Sequence, residues 1–345
     1  MPLLVADALG DRAVQSCLAA AGLPENISEQ TGSYIPEAAL NRFLDGAARS
    51  AGDDLFGLYL GDHLSVEDYG RWGDYVLEAA NLIGALQRAV QIIHLHADRD
   101  TLEVRQGPST TFFRYTFGER RVLGYRQTAL AALGSLMSIP RRFLGSRWVP
   151  LSIGLDLSET SSEARIEARV GTRVRYDRKC VYLEIANSDL LASNPQDFSG
   201  RTTVGDVIRA CRGGPPKELV PCVEQLVLQR LGSQSVNLND IARVMGTSRR
   251  TLQRRIDQSG TSFRSICTDA KMRRATELLV EGSASVSSIA LQLDYSTASH
   301  FSRAFRKRFG IAPVEFRCAR QVDLIMPASG LEQPSAAHTT NVRLG

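Results

Sequence analysis

The sequence predicts an α+β amino-terminal domain, with helices packed on a mixed or antiparallel sheet. An all-α carboxy-terminal domain follows, built of two helix-turn-helix units joined by a long linker helix. Three observations carry this prediction. The chain repeats itself near its end, once over residues 238–260 and again over 286–310. Positive charge is concentrated there: residues 215–320 hold 17 Lys+Arg against 9 Asp+Glu, whereas residues 1–214 hold 23 against 26. The apolar period, helical over the first hundred residues, switches to alternation just after residue 100.

Helical spacing is clearest over residues 14–21, 36–50 and 79–93, with Pro24 and the Gly52-Asp53 pair as breaks. Residues 101–105 and 110–117 alternate with period two on either side of Gly107-Pro108, which predicts a hairpin. A long helix is expected over 119–139, strands over 148–157 and 173–185, and a helix over 159–170 between those strands. A short helix over 204–210 then leads to Gly213-Gly214-Pro215-Pro216, a bendable then stiff segment that suits a boundary. The expected organisation is therefore 1–195 as a first domain, 196–216 as linker, 217–320 as the paired helix-turn-helix domain, and 321–345 as a tail without periodicity, expected to be disordered.

The two copies align in register. Ile241-Ala242 matches Ile289-Ala290, and Leu252, Ile256 and Gly260 match Phe301, Phe305 and Gly310. Leu252 to Ile256 and Phe301 to Phe305 are i,i+4 pairs, so each lies on the buried stripe of a helix. Alanine at 242 and 290 lets the first helix of each unit cross the second closely. The turn of the first copy is Gly246-Thr247-Ser248, a left-handed residue followed by a helix cap. In the second, Asp294 stands in the glycine place, and aspartate tolerates that conformation better than most side chains. Paired units of this kind, on a basic background, point to double-stranded DNA as partner.

Helical geometry then assigns the faces. In the first unit Arg250, Gln253 and Arg254 lie opposite the Leu252–Ile256 stripe, where arginine can pair with guanine and glutamine with adenine in the major groove. Arg249 and Arg255 point elsewhere, toward phosphate or plain solvent. In the second unit Ala298, Ser299, Ser302 and Arg303 face the groove with far less hydrogen-bonding capacity, so Arg303 and phosphate contacts from Arg306 and Lys307 should dominate there.

The run from Ser299 through Arg317, SHFSRAFRKRFGIAPVEFR, resembles the signature of AraC/XylS transcriptional regulators. Residues 263–280 resemble that family's linker helix, with Lys271-Met272, Ala275 and Leu278-Leu279 in place. The resemblance implies two reading heads held about one DNA turn, ~34 Å, apart on one face. A looser resemblance joins Gly70–Gly73, Trp148–Leu151 and Val174–Asp177 to the sensing domain of the ornithine-utilisation regulator branch. It implies a small-molecule inducer such as an amine or amino acid, bound in a domain that is not the arabinose sensor's cupin barrel. It further implies an activator of a catabolic operon, RNA polymerase as a partner, and a possible homodimer.

Candidate inducer contacts are rings and an arginine in otherwise apolar elements: Trp72, Tyr75, Arg114, Tyr125 and Trp148. Rings can box an alkyl or ammonium group, and arginine can clamp a carboxylate. His94 and His96, near Asp98 and Asp100, diverge by about 200° at the end of a helix and have no downstream partner at a defined spacing, so no metal is expected. No cofactor is expected either. The chain lacks a phosphate-cradling Gly-rich loop with Lys-Ser/Thr, a Gly-x-Ser-x-Gly elbow and a His-Glu-x-x-His helix, so it does not read as an enzyme. DNA-alkylation repair proteins share the reading module but need a cysteine cluster near the amino terminus, where Cys17 stands alone. The scattered cysteines, the lack of a leader and the lack of an apolar run of ~18 residues together suggest a reduced cytoplasmic protein without membrane spans. The competing reading is a ligand-independent architectural DNA-binding protein whose first domain only dimerises, which ligand-induced thermal stabilisation would distinguish.

Overall fold

Three helices open the chain, α1 (Pro2–Leu9), α2 (Asp11–Ala21) and α3 (Glu37–Ala51). Each of the two longer ones buries the stripe its spacing predicts: Val14, Cys17, Leu18 and Ala21 on α2, and Ala39, Phe43, Leu44, Ala47 and Ala48 on α3. Gly22 and Gly52 close α2 and α3 in the left-handed conformation, at φ +75 and +63. The computed structural model describes residues 1–325 except 28–33, 121, 160–161, 197–200, 233–235 and 283. It comprises two units, Met1–Ile266 and Cys267–Gly345.

In the first unit α4 (Phe56–Gly61), α5 (Arg71–Leu77) and α6 (Leu82–Ile92) precede the hairpin of β1 (Thr101–Gln106) and β2 (Thr110–Thr116). Then come α7 (Tyr125–Leu144), β3 (Ser152–Gly154), α8 (Glu163–Val170), β4 (Val174–Arg175) and β5 (Val181–Ala186). The sheet order is β1-β2-β5-β3-β4, antiparallel except for the β3–β4 pair. This is the mixed sheet with helices that the sequence predicts, in open rather than barrel form. Phe113, Val181, Leu183 and Ile185 line its inner face and share one apolar core with Leu82, Leu86 and Ile92 of α6 and Leu130 and Leu133 of α7.

Several elements differ from expectation for local reasons. The long helix expected over 119–139 starts at Tyr125 and runs to Leu144. Gly124 precedes it at φ +82, pressed so close to Asn41 that a Cβ there would lie 2.0 Å from the Asn41 carbonyl oxygen. Pro140 lies inside α7 without ending it. The strand expected over 148–157 shrinks to β3, and the one over 173–185 is broken at Asp177, whose φ is +52. The helix over 159–170 is confined to α8, with 160–161 outside the described residues. α9 (Val204–Ala210) matches its expected span, held by a capping box between Thr203 and Asp206.

The first helix-turn-helix belongs to this same unit. α10 (Leu219–Arg230) packs on α11 (Leu238–Val244) and α12 (Arg249–Gln258). Asn237 caps α11 and Ser248 caps α12, accepting from the Thr251 amide at 3.1 Å. Gly246 holds the turn at φ +65.

The second unit holds most of α13 (Phe263–Glu281), followed by α14 (Val286–Gln292), α15 (Ala298–Phe309) and α16 (Pro313–Ile325). At 19 residues α13 is ~28 Å long. Asp294 does adopt the left-handed turn, at φ +56, and Thr297 caps α15 through the His300 amide at 3.1 Å. Ala242 and Ala290 are both buried, as close crossing requires. α16 continues to Ile325, five residues into the segment expected to be a disordered tail, while 326–345 lies outside the described residues.

Candidate DNA interface and sensing domain

α12 is oriented by its two buried residues, Leu252 and Ile256, both fully excluded from solvent. Its opposite face therefore projects outward. There Arg249, Arg250, Gln253, Arg254, Asp257 and Gln258 line one open depression, so Arg249, expected to point elsewhere, borders the same face as Arg250, Gln253 and Arg254 from the first turn of the helix. The three arginines are exposed, Gln253 is half-buried, and its amide donates to the Asp257 carboxylate at 2.8 Å. That bond occupies one donor of Gln253 and leaves its carbonyl oxygen and second N–H available. Asp257 was not among the residues singled out by helical geometry. Its signal in the sequence is the i,i+4 spacing to Gln253, at which a glutamine and an acid can meet.

α15 is set the same way by Phe301 and Phe305, both at 0% exposure. Ser299, Arg303, Arg306 and Lys307 are exposed, and Ala298 and Ser302 are half-buried. Arg306, Lys307 and Arg308 fill the last turn, where cations complement the helix dipole. Tyr295 packs at a tilt against Phe301 with ring centres 5.5 Å apart, and Lys271 sits 5.2 Å from the Tyr295 ring centre while its ammonium approaches the Asp294 carbonyl at 3.5 Å. The linker helix thus holds the turn of the second head.

Each of the five candidate inducer residues is engaged by a different partner, although Trp72 and Tyr125 belong to one apolar core against which Tyr75 and Trp148 pack. Trp72 is 4% exposed and donates its indole N–H to the Ile92 carbonyl at 3.0 Å, a core role. Tyr125, also buried, donates to Asp156 at 2.7 Å, and burial beside that carboxylate holds its phenol well above the usual range. Arg114 follows the core residue Phe113 and so lies on the opposite sheet face, paired with Glu103 at 2.8 Å and donating to Cys180 Sγ at 3.3 Å. Tyr75 donates to Gln91 at 2.8 Å under the Arg88 guanidinium, and Trp148 to Asp189 at 3.1 Å. His96 is stacked on Tyr69 at 4.8 Å and lies tilted against Trp72 at 5.5 Å, and burial pulls its imidazole below the ordinary value. Among the described residues no group of three or more His, Cys, Asp or Glu is placed to hold a metal, and no helix is long and apolar enough to cross a membrane.

Periodicity gave no hint of an acidic group beneath α3. Glu37, in its first turn, accepts from the Glu119 amide at 3.1 Å, and its other oxygen is buried without a hydrogen-bond partner. Burial first, then the Asp100 and Glu119 carboxylates, push its carboxyl up to about 8. Between the ordinary value of 4.5 and about 8 the folded protein keeps a proton that the unfolded chain has released, so stability falls as pH rises through that window. Glu37→Gln should match the parent in melting temperature near pH 4.5 and exceed it at pH 8. Parallel melting curves for the two proteins from pH 5 to 8.5 would refute this assignment.

Comparison with known proteins agrees with this anatomy. The family profile described as the arabinose-binding domain of AraC transcription regulators, N-terminal, matches residues 12–194, and a helix-turn-helix domain profile matches residues 241–319. The ornithine utilization regulator of Pseudomonas aeruginosa is 24% identical over 330 residues, covering 92% of this chain and 96% of its own. The transcriptional activator CsvR of Escherichia coli is 34% identical over 90 residues, 26% of this chain and 34% of its own. Among solved structures, the transcriptional regulator CdpR of Pseudomonas aeruginosa aligns over 89% of this chain and 97% of its own, at 20% identity and a TM-score of 0.39. With the first profile spanning more than half of the chain and the second spanning its reading heads, this protein belongs to the AraC family of transcription regulators, with a ligand-binding domain ahead of its helix-turn-helix units.

Proposed function

We propose that this regulator activates a catabolic operon when a small amine or amino acid occupies its sensing domain, residues 1–195. The linker 196–216 then passes the change to a DNA-binding domain spanning 217–320. The observation that carries the reading is the similarity to the ornithine utilization regulator, which runs through both domains and not the reading heads alone. Arg250, Gln253 and Arg254 read base edges of promoter DNA, Arg249 binds phosphate, and the second head adds Ala298, Ser299, Ser302 and Arg303 with phosphate contacts from Arg306 and Lys307. Of the inducer candidates, half-buried Tyr75, Arg114 and Trp148 have surface to offer a ligand, while Trp72 and Tyr125 act from the core behind them. The protein works in the cytoplasm, with RNA polymerase as partner and a homodimer as its assembled form.

Two measurements test this. On a duplex selected in vitro with the full chain, Arg250→Ala and Arg254→Ala should each cost about 1–3 kcal/mol at matched salt. If both bind as tightly as the parent, the reading face is misassigned. Melting curves against amines, amino acids, sugars and aromatic acids should show a rise with amines or amino acids. No rise with any class, alongside intact DNA binding, would favour the architectural reading.

A further inference from the structure

The first reading head is gripped by the amino-terminal helices through main-chain contacts. The guanidinium of Arg42 on α3 donates to the carbonyls of Arg243 and Val244 at 2.6 and 3.0 Å, capping the end of α11. Those carbonyls belong to the last turn of a helix, whose acceptors have no partner within the helix. On α10, Arg230 is 3% exposed and donates to the carbonyl of Gly22, the residue that closes α2. Gln229 donates to the Tyr34 carbonyl at 3.0 Å, and the Tyr34 hydroxyl lies within hydrogen-bond reach of the Leu95 and Cys211 carbonyls at 3.0 and 3.1 Å.

The fit is close where no side chain intervenes. A Cβ on Gly22 would lie 3.0 Å from Val244 Cγ2, and one on Gly246, the turn glycine of the first head, 2.8 Å from the Ala38 Cβ. Both glycines also have positive φ, so each serves its own turn and the packing of the first head on α2 and α3 at once. The surface gripped is the end of α11 and the turn. The exposed arginines of α12 stay outside it.

α3 in turn rests on α7, the long helix of the sensing core. The Thr128 hydroxyl donates to the Asn41 side-chain oxygen, and Gly124, at the start of α7, abuts the Asn41 carbonyl. α7 packs Leu130, Leu133, Met137 and Ile139 into the core that contains the sheet. Sheet, α7, α3 and α11 are therefore joined by direct contact, with Asn41 and Arg42 as adjacent residues facing α7 and α11.

We propose that the α2–α3 corner is the docking surface of the first reading head, and that Arg42 is the positioning residue through which the sensing domain and that head feel each other's state. The proposal rests on the regulator reading above and names its coupling element. Because docking leaves the arginines of α12 open, it sets the orientation of the head without blocking it. Coupling must be reciprocal: DNA bound by the head should stabilise the sensing core.

The test needs no identified inducer. Both tryptophans, Trp72 and Trp148, lie in the sensing domain, so intrinsic fluorescence reports its melting alone. The probe is the duplex selected in vitro with the full chain, at about 100 times its dissociation constant. Full coupling then raises the fluorescence midpoint of the parent by about 5–10 °C for a unit of this size. Arg42→Ala and Ala38→Leu should each lose at least half of that rise while keeping the parent's circular dichroism and binding the duplex within about three-fold. Failure of the selection to yield any duplex that the parent binds in preference to random sequence would sink the DNA-binding reading. Duplex binding with no midpoint rise in the parent, or an equal rise in both variants, would overturn the docking proposal and leave that reading intact. Two variants guard against one of them failing to fold.

Discussion

Replacing Gly134 with alanine is expected to destabilise the amino-terminal unit by about 3 kcal/mol, at the upper end of what overpacking costs. α4 and α7 cross backbone to backbone. A Cβ at position 134 would lie 1.7 Å from the Gly61 carbonyl oxygen and 2.3 Å from its carbon. The contact is mutual, since a Cβ on Gly57 would meet the Gln127 carbonyl oxygen at 2.2 Å and one on Gly61 the Ala131 oxygen at 3.1 Å. Neither backbone can swing aside like a side chain, because Gln127 is tied down from α4's end: its amide donates to the Asp54 carbonyl at 3.0 Å and its oxygen accepts from the Gly57 amide at 2.7 Å. The helices must separate, and α7 draws the core with it. For a unit of this size the loss lowers the fluorescence midpoint by roughly 6–12 °C. A change within 2 °C would mean that the helices can slide past one another and that the glycines are not needed for their approach.

That crossing also marks how far the sequence could be read. In the second domain the two helix-turn-helix units and the linker helix were legible, though α10 and the last turns of α16 were not, because the information of those units is local: i,i+4 apolar pairs, small residues at crossings and capping residues next to turns. Asp294 is the clearest instance, a weak match to the glycine of the first copy that nonetheless takes the same left-handed conformation. In the first domain the hairpin and the helices α2, α3 and α6, and in the linker α9, were legible for the same reason. What was missed depends on partners distant in the chain. α1, α4 and α5 were not singled out, and Gly57, Gly61 and Gly134 look like breaks or weak spots until the facing backbone is known. The strands failed at Asp177, where a single positive φ interrupts an otherwise alternating run.

The sites divide in the same way. A recognition helix displays its residues on one face, so spacing alone brought Arg250, Gln253 and Arg254 together. An inducer site in a sheet-and-helix domain is assembled from several elements, and selecting rings and arginines by type found residues already engaged in the fold, such as Trp72 with Ile92 and Arg114 with Glu103. Arg42 carried no signal at all. It is one arginine on an amphipathic helix, and only the helix end it caps, 201 residues further along the chain, gives it a role.

Phe305→Ala should remove the second reading head as a folded element and with it most of the affinity for a two-headed site. Phe305 is fully buried, with the rings of Phe301, Phe309 and Phe316 centred 5.7, 4.5 and 5.5 Å away. Losing such a ring costs about 3–5 kcal/mol. A small helical unit with a net stability of the usual few kcal/mol cannot absorb that. DNA binding amplifies the loss, because a head tethered beside its half-site acts at high effective concentration, and linked binding exceeds either head's own affinity by about 10²–10⁴. The expected result is a fall of that order in affinity, a footprint shortened to the half read by α12, and an unchanged tryptophan melt, since both tryptophans lie in the other unit. Ser302→Ala, on the same helix but on its half-exposed face, should leave the melt and the footprint length as they are. If Phe305→Ala kept full affinity and a full-length footprint, α15 would not be reading DNA, and the second head would be a scaffold for the first.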